Sequence, residues 1–227
     1  MVFGLLLALA VSAANSASAG SPDAGVPASS FPGAEKSPAL TAEIDRALAL
    51  RREGRQDEGL RVLEAVRTQA LAEQRPEVAT NALNRRGDLL HDLRRNDEAR
   101  AAYLEAYGEA QQRSDFWSMG RAAHDLALLG DYESLDPSSV EWFGKALEAR
   151  RKAKDFAGMR VTANNLATAY NHAGRTDEAV PFYEEGIQAA ESMADDGNAL
   201  KMHLHLANLL LAKGERLADE ATLAQGR

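Results

Sequence analysis

The sequence contains no cysteine, only seven prolines in 227 residues, and 6% aromatic residues. Without cysteine there are no disulfides, no thiolate nucleophile, no thiolate metal ligand and no cysteine to carry a lipid. Positive charge is also short: 26 Lys and Arg stand against 34 Asp and Glu, a formal net charge of −8. Nucleic-acid phosphates need a basic footprint that this balance lacks, and an anionic membrane surface needs the same. No phosphate-cradling glycine loop, HExxH pattern or GxSxG elbow occurs. His203 and His205 form an H-x-H pair, but residues two apart on a helix diverge by about 200° and cannot share a metal. These absences predict a chain that is not an enzyme and takes no metal and no cofactor.

Long apolar runs are missing too. Residues 2–11 are apolar, about half the roughly 20 residues that a bilayer span requires. Ala17-Ser18-Ala19 follows, the small-x-small pattern of a signal-peptidase site, although no Lys or Arg precedes the apolar run. Residues 1–19 are therefore expected to be a cleaved export signal, giving a periplasmic or secreted protein with no membrane insertion after cleavage. Residues 20–37, rich in Pro, Gly, Ser and Ala, read as a disordered linker, and organised structure is expected over 38–227.

What remains is rich in Leu, Ala, Glu and Arg, a helical composition, and it repeats every 40 residues. A small residue recurs at Ala47, Gly87, Ala127, Ala167 and Ala207. A second small column holds Gly59, Ala99, Ser139 and Ala179, and a large one follows at Leu63, Tyr103, Phe143 and Tyr183. Val66, Ala106, Ala146 and Gly186 form a further column, and Asp-Glu recurs at 57–58, 97–98 and 177–178. Columns held in register over this length identify a repeat array. Two antiparallel helices approach closely only where small side chains face each other, and the large column fills the space beside them.

The pattern predicts helix pairs 39–53/56–73, 76–94/96–113, 115–130/137–154 and 155–173/176–193, then a fifth first helix 197–213 and a short piece 216–225. Asn96, Thr176 and Asp136 are the expected N-caps, Pro76 and Pro137 first helical residues, and Gly54, Gly174 and Gly214 helix stops. Gly130 breaks the third pair's pattern, so its first helix should be short. Phe143 belongs to the core, with Trp117 and Trp142 packing between neighbouring units.

These columns resemble the tetratricopeptide repeat, most closely in "NNLATAYNHAGRTDEAVPFYEEGI" at 164–187. The 40-residue spacing is similar to the long-repeat variety of kinesin light chains and bacterial multi-repeat proteins. The likeness runs over roughly 39–214. It implies an all-α, right-handed α-solenoid of four full repeats plus a partial fifth, and an exported bacterial scaffold that binds protein or peptide. A sensing or regulatory region of a larger protein, with an effector such as a protease elsewhere, is the alternative it leaves open.

All five histidines lie on first helices, which in such an array line the concave wall. The inward stripe carries Asn84, Asp88, His91, His124, Asn164, Thr168, Asn171 and Asn208. Side chains that both donate and accept suit a peptide backbone, so this stripe is the expected ligand groove. Arg51, Arg52, Arg94 and Arg95 should face the negative ends of their helices. Self-association through the uncapped C-terminal end is a further expectation.

Overall fold

A residue in the left-handed region turns the chain back at Gly54, Gln74, Arg94, Ser114, Lys154, Gly174 and Ala194, with φ between 52° and 77°. These positions are 20 residues apart or a multiple of it, so each 40-residue unit contains two turns of the same design. At each turn that residue's N–H donates to the carbonyl three residues back. The next N–H donates five residues back, at 2.7–3.0 Å, as in Arg55 to Leu50 and Asp195 to Ala190. This is the Schellman arrangement, which satisfies carbonyls that a helix end would otherwise orphan. Only two of the seven are glycine. The others accept an unfavourable φ because both flanking helices are fixed by packing.

The computed structural model describes residues 31–130 and 135–225. Over these residues the chain is all helical. The elements are α1 Pro38–Arg52, α2 Gln56–Ala72, α3 Pro76–Asp92, α4 Asn96–Arg113, α5 Phe116–Leu128, α6 Pro137–Ala153, α7 Phe156–His172, α8 Thr176–Glu191 and α9 Asp196–Gln225. Each packs antiparallel against the next, and the first helices α1, α3, α5 and α7 also touch one another in order. The result is an α-solenoid whose first helices form a continuous wall.

The repeat columns are its core. Ala47, Ala127 and Ala167 are buried, as are Leu63, Tyr103, Phe143 and Tyr183. Gly87 lies under the Tyr103 ring, so closely that a Cβ there would overlap ring atoms. Burying each large residue of the column contributes about 1.5–3 kcal/mol. Between units, Tyr107 of α4 meets Trp142 of α6 edge-on at 5.2 Å, and Trp117 of α5 stands 6.4 Å from Phe31. Trp142 thus packs between neighbouring units, as the sequence suggests, while Trp117 packs on the first core cluster together with Phe31, which precedes the first unit.

Helix starts come in two kinds. Second helices begin after Arg55, Arg95 and Arg175, whose guanidinium groups clasp Glu58, Glu98 and Glu178 at 2.5–2.8 Å. The first helices α5, α7 and α9 begin after Asp115, Asp155 and Asp195, which accept from the backbone N–H of Ser118, Gly158 and Asn198, whereas α1 and α3 follow Ser37 and Arg75 without a side-chain cap. Asp136 caps α6 through Ser139 N–H at 3.1 Å. Asn96 and Thr176 are not caps but the first residues of α4 and α8, because an arginine occupies the cap position before each. The recurrent Asp-Glu is explained the same way: its Glu is the arginine's partner and sits on the positive helix end.

The helix α5 ends at Leu128, short as Gly130 implies. Two other boundaries differ from expectation. α9 runs unbroken through Gly214 for 30 residues. Glu215, Leu217 and Ala218 are good helix formers, and one interior glycine costs only about 1 kcal/mol against them. At the other end order begins before Pro38. Phe31 and Ala34 are buried in the first core cluster, Ala34–Lys36 forms a 3-10 turn, and Thr41 Oγ1 donates to the Ala34 carbonyl at 3.1 Å. The expected signal, residues 1–19, and the linker as far as residue 30 lie outside the described residues.

Candidate functional site

The first-helix wall carries the expected stripe, but its two halves differ in character. On α3, Asn84 and Asp88 are buried, and His91, one turn further, is half-buried. On α5, His124 is buried: its Nδ1 lies 3.0 Å from Thr162 Oγ1 on α7, and its ring meets Phe143 at 5.5 Å. On α7, Asn164, Thr168 and Asn171 are half-buried, one above the other at i, i+4 and i+7. Asn208 on α9 is exposed. A ligand can therefore touch the wall directly at His91, Asn164, Thr168, Asn171 and Asn208. Asn84, Asp88 and His124 lie beneath the surface and act through packing and charge.

Beneath the first half lies an ionic ladder that crosses three helices. Asp88 accepts from Arg121 of α5 at 2.6 Å and from the Tyr103 hydroxyl at 3.0 Å. Arg85 approaches the same carboxylate to 3.6 Å and Arg51 of α1 to 3.9 Å. Arg51 also donates twice to Asp92, at 2.5 and 2.8 Å, and Arg121 lies 3.7 Å from Asp125. Three arginines thus face three aspartates, and each charge lies within 4 Å of an opposite one. Burial alone would lower the Arg51 pKa, but the Asp92 hydrogen bond and the Asp88 charge overrule it and leave the pKa raised. Burial, then the Asp88 charge, pushes the Tyr103 phenol well above its ordinary range.

The sequence reading missed Arg85, Arg121 and Asp125. Their signal was available: opposite charges stand at Arg85/Asp88 (i, i+3) and Arg121/Asp125 (i, i+4), and the second pair are the only Asp, Glu, Lys or Arg residues of the otherwise apolar α5. Arg51 was assigned to the helix dipole. Its geometry makes it a bridge from α1 to α3, while Arg94 and Arg95 lie in the turn beyond α3.

Asn81 and Asn84 on α3 are fully buried, and neither amide finds a hydrogen-bond partner. Buried amides without partners cost about 1–3 kcal/mol each, so the α3 section of the wall stores unused hydrogen-bonding capacity. The second helices form the opposite, outer wall, tied by Arg67 to Glu105 and Glu109 and by Arg151 to Glu185. A shallow depression of about 860 Å³ lies on this outer side, lined by Arg151, Glu184, Glu185, Glu191 and His203 among others. It is separate from the polar stripe. Among the described residues no cluster of three His, Asp or Glu side chains has metal-binding geometry, and no helix is long and apolar enough to cross a membrane.

Comparison with known proteins agrees with this architecture. Residues 80–112 and 162–193 match the family model of the tetratricopeptide repeat, the windows spanning α3–α4 and α7–α8. No curated protein matches the sequence. Among solved structures, the chain is similar to a kinesin light chain protein of Podosopora anserina with nearly identical TPR-like repeats. Identity is 19% over 82% of this chain and 92% of that one, with a TM-score of 0.58. At that identity the likeness concerns the fold.

Proposed function

From a chain that carries repeats of the tetratricopeptide family, we propose a non-catalytic scaffold that holds an extended protein segment or peptide against its first-helix wall. The observation that carries the reading is the half-buried line of Asn164, Thr168 and Asn171 on α7. Amide and hydroxyl side chains spaced at about 5–6 Å along a helix can donate to and accept from a backbone laid across them. Asn208 on α9 extends the line into the next unit. The ionic ladder under α3 and α5 fixes the spacing between first helices, so the wall is presented as a rigid surface rather than assembled on binding.

The reading predicts neutral, hydrogen-bond-led recognition. The site offers few charges at its surface, and its affinity should depend weakly on salt. The test is capture of partners by the immobilised chain, comparing wild type with an Asn164→Lys/Asn171→Lys double variant and an outer-wall Arg100→Ala control. Partners retained by wild type and the control but lost by the double variant support the groove. Partners lost by the control alone overturn it. The composition of residues 1–19 supports export, with cleavage after Ala19. N-terminal sequencing of the chain recovered from a bacterial envelope fraction should read Gly20 first, and an intact Met1 there would remove the export claim.

A further inference from the structure

The helix α9 packs on α8 with one face only. Ala199, Met202 and Leu209 are buried, and Lys213 reaches Asp177 at the start of α8. On the far side Leu200, Leu204 and Leu211 are 70%, 58% and 66% exposed. Ala207 and Gly214 are exposed on the same line. At 100° per residue, positions 200, 204, 207, 211, 214 and 218 fall within an arc of about 80°. Between residues 200 and 218 that arc contains no charged residue. In earlier units the columns of 200, 204 and 207 are covered at Leu40, Ile44, Ala47, Ala127 and Ala167, all buried, whereas the column of 214 is exposed at Gly54 and Gly174.

The order of residues along this line says what covers it. Reversed about position 209, the line matches itself: Leu200 falls opposite Ala218, Leu204 opposite Gly214, and Leu211 opposite Ala207. Every large residue meets a small one. That is the complementarity a twofold interface demands, since each patch must fit its own copy. Small residues opposite leucine also let two helices approach to the short end of the 8–10 Å packing range.

We infer that α9 is a homodimerisation helix, pairing antiparallel with the α9 of a second copy in a register centred on residue 209. The dimer joins two solenoids through α9. Its seam adjoins the proposed groove, since Leu204 continues the column of Asn84, His124 and Asn164 and Leu211 that of His91 and Asn171, so the test reads oligomeric state rather than peptide capture.

The full chain tests it directly. Sedimentation of wild type across a concentration series should show a monomer–dimer equilibrium. A Leu204→Glu/Leu211→Glu variant should remain monomeric with an unchanged helical spectrum, since both positions are exposed. The absence of native cysteine makes the register accessible to crosslinking. Leu204→Cys mixed with Gly214→Cys should form an interchain disulfide under mild oxidation, and a new Cβ at Gly214 meets nothing within 4 Å. Either variant alone should not, because ten residues of helix separate its two copies by about 15 Å, beyond the ~7 Å Cα limit of a disulfide. Self-crosslinking of each single variant in preference to the mixture would indicate parallel pairing and overturn the register. A chain that stays monomeric throughout overturns the proposal.

Discussion

The Tyr103 phenol on α4 donates to the Asp88 carboxylate on α3 at 3.0 Å, from a ring that lies over Gly87. One aromatic side chain thus fills the space between the helices of a pair and anchors the carboxylate that links three first helices. Core packing and wall geometry meet at this contact.

Removing the carboxylate should be severe. Asp88→Ala leaves Arg51, Arg85 and Arg121 around a site that has lost its central negative charge, at a cost of about 3–5 kcal/mol. Tyr103→Phe removes one hydrogen bond and keeps the ring, and should cost about 1–2 kcal/mol. Chemical denaturation of the two variants measures both. Equal losses would show that the carboxylate acts only through its hydrogen bond from Tyr103 and that the surrounding arginines add nothing measurable.

The same contact sets an alkaline limit. Tyr103 is raised well above its ordinary 10.0 by burial and then by Asp88. A group raised in the folded state stabilises fully below its unfolded value and loses that contribution as pH rises above it. Wild-type stability should therefore fall once pH exceeds about 10, and Tyr103→Phe should fall less steeply, narrowing its deficit. Parallel pH profiles for the two proteins would exclude a role for this phenol.

At acid pH the sensitive group is Glu109. Burial acts to raise its pKa, but hydrogen bonds from Arg67 and Thr80 and the nearby guanidinium charges win and hold it below 4.5. A depressed carboxylate stabilises above its unfolded value and loses that contribution as pH falls through the folded one. The tie between α2 and α4 should weaken below about pH 4.5. Glu109→Gln should cost no more than about 1 kcal/mol at neutral pH, as partly exposed pairs do, and should flatten the acid limb of the melting profile. An unchanged acid limb would place the titration elsewhere.

Much of the array was legible because its periodicity is written in residue size. Ala47, Gly87, Ala127 and Ala167 and their large partners Leu63, Tyr103, Phe143 and Tyr183 stand where the 40-residue columns place them. The turns were only half legible. Gly54 and Gly174 announce a left-handed residue, whereas Gln74, Arg94, Ser114, Lys154 and Ala194 adopt it under tertiary constraint and carry no local signal. The stripe was legible as a line and not in depth. Asn164 and Asn171 are accessible while Asn84 and His124 are buried, although 84, 124 and 164 share one column. Depth depends on the neighbouring helices of each unit, which a periodic pattern does not encode. The ladder escaped for the same reason, since Arg121 meets Asp88 across 33 residues of sequence.

Two glycines that look alike in sequence should respond in opposite senses to alanine. Gly54 ends α1 with φ +77°, and an added Cβ meets nothing within 4 Å, so the only penalty is backbone strain. An L-residue there costs about 1–2 kcal/mol, partly offset by about 0.4–1 kcal/mol from a less flexible unfolded chain. Gly54→Ala should destabilise by about 1 kcal/mol. Gly214 was expected to stop a helix in the same way, but it lies inside α9, with nothing within 4 Å of an added Cβ. Alanine there relieves the flexibility that glycine brings to a helix interior and should stabilise by up to about 1 kcal/mol. For a chain of this size each kcal/mol moves the melting temperature by about 2–4 °C, so the two variants should separate clearly. The comparison is made at concentrations where the chain is monomeric, because position 214 also lies on the proposed seam. If Gly214→Ala destabilises as Gly54→Ala does, α9 ends at residue 213 and the seam loses its second half.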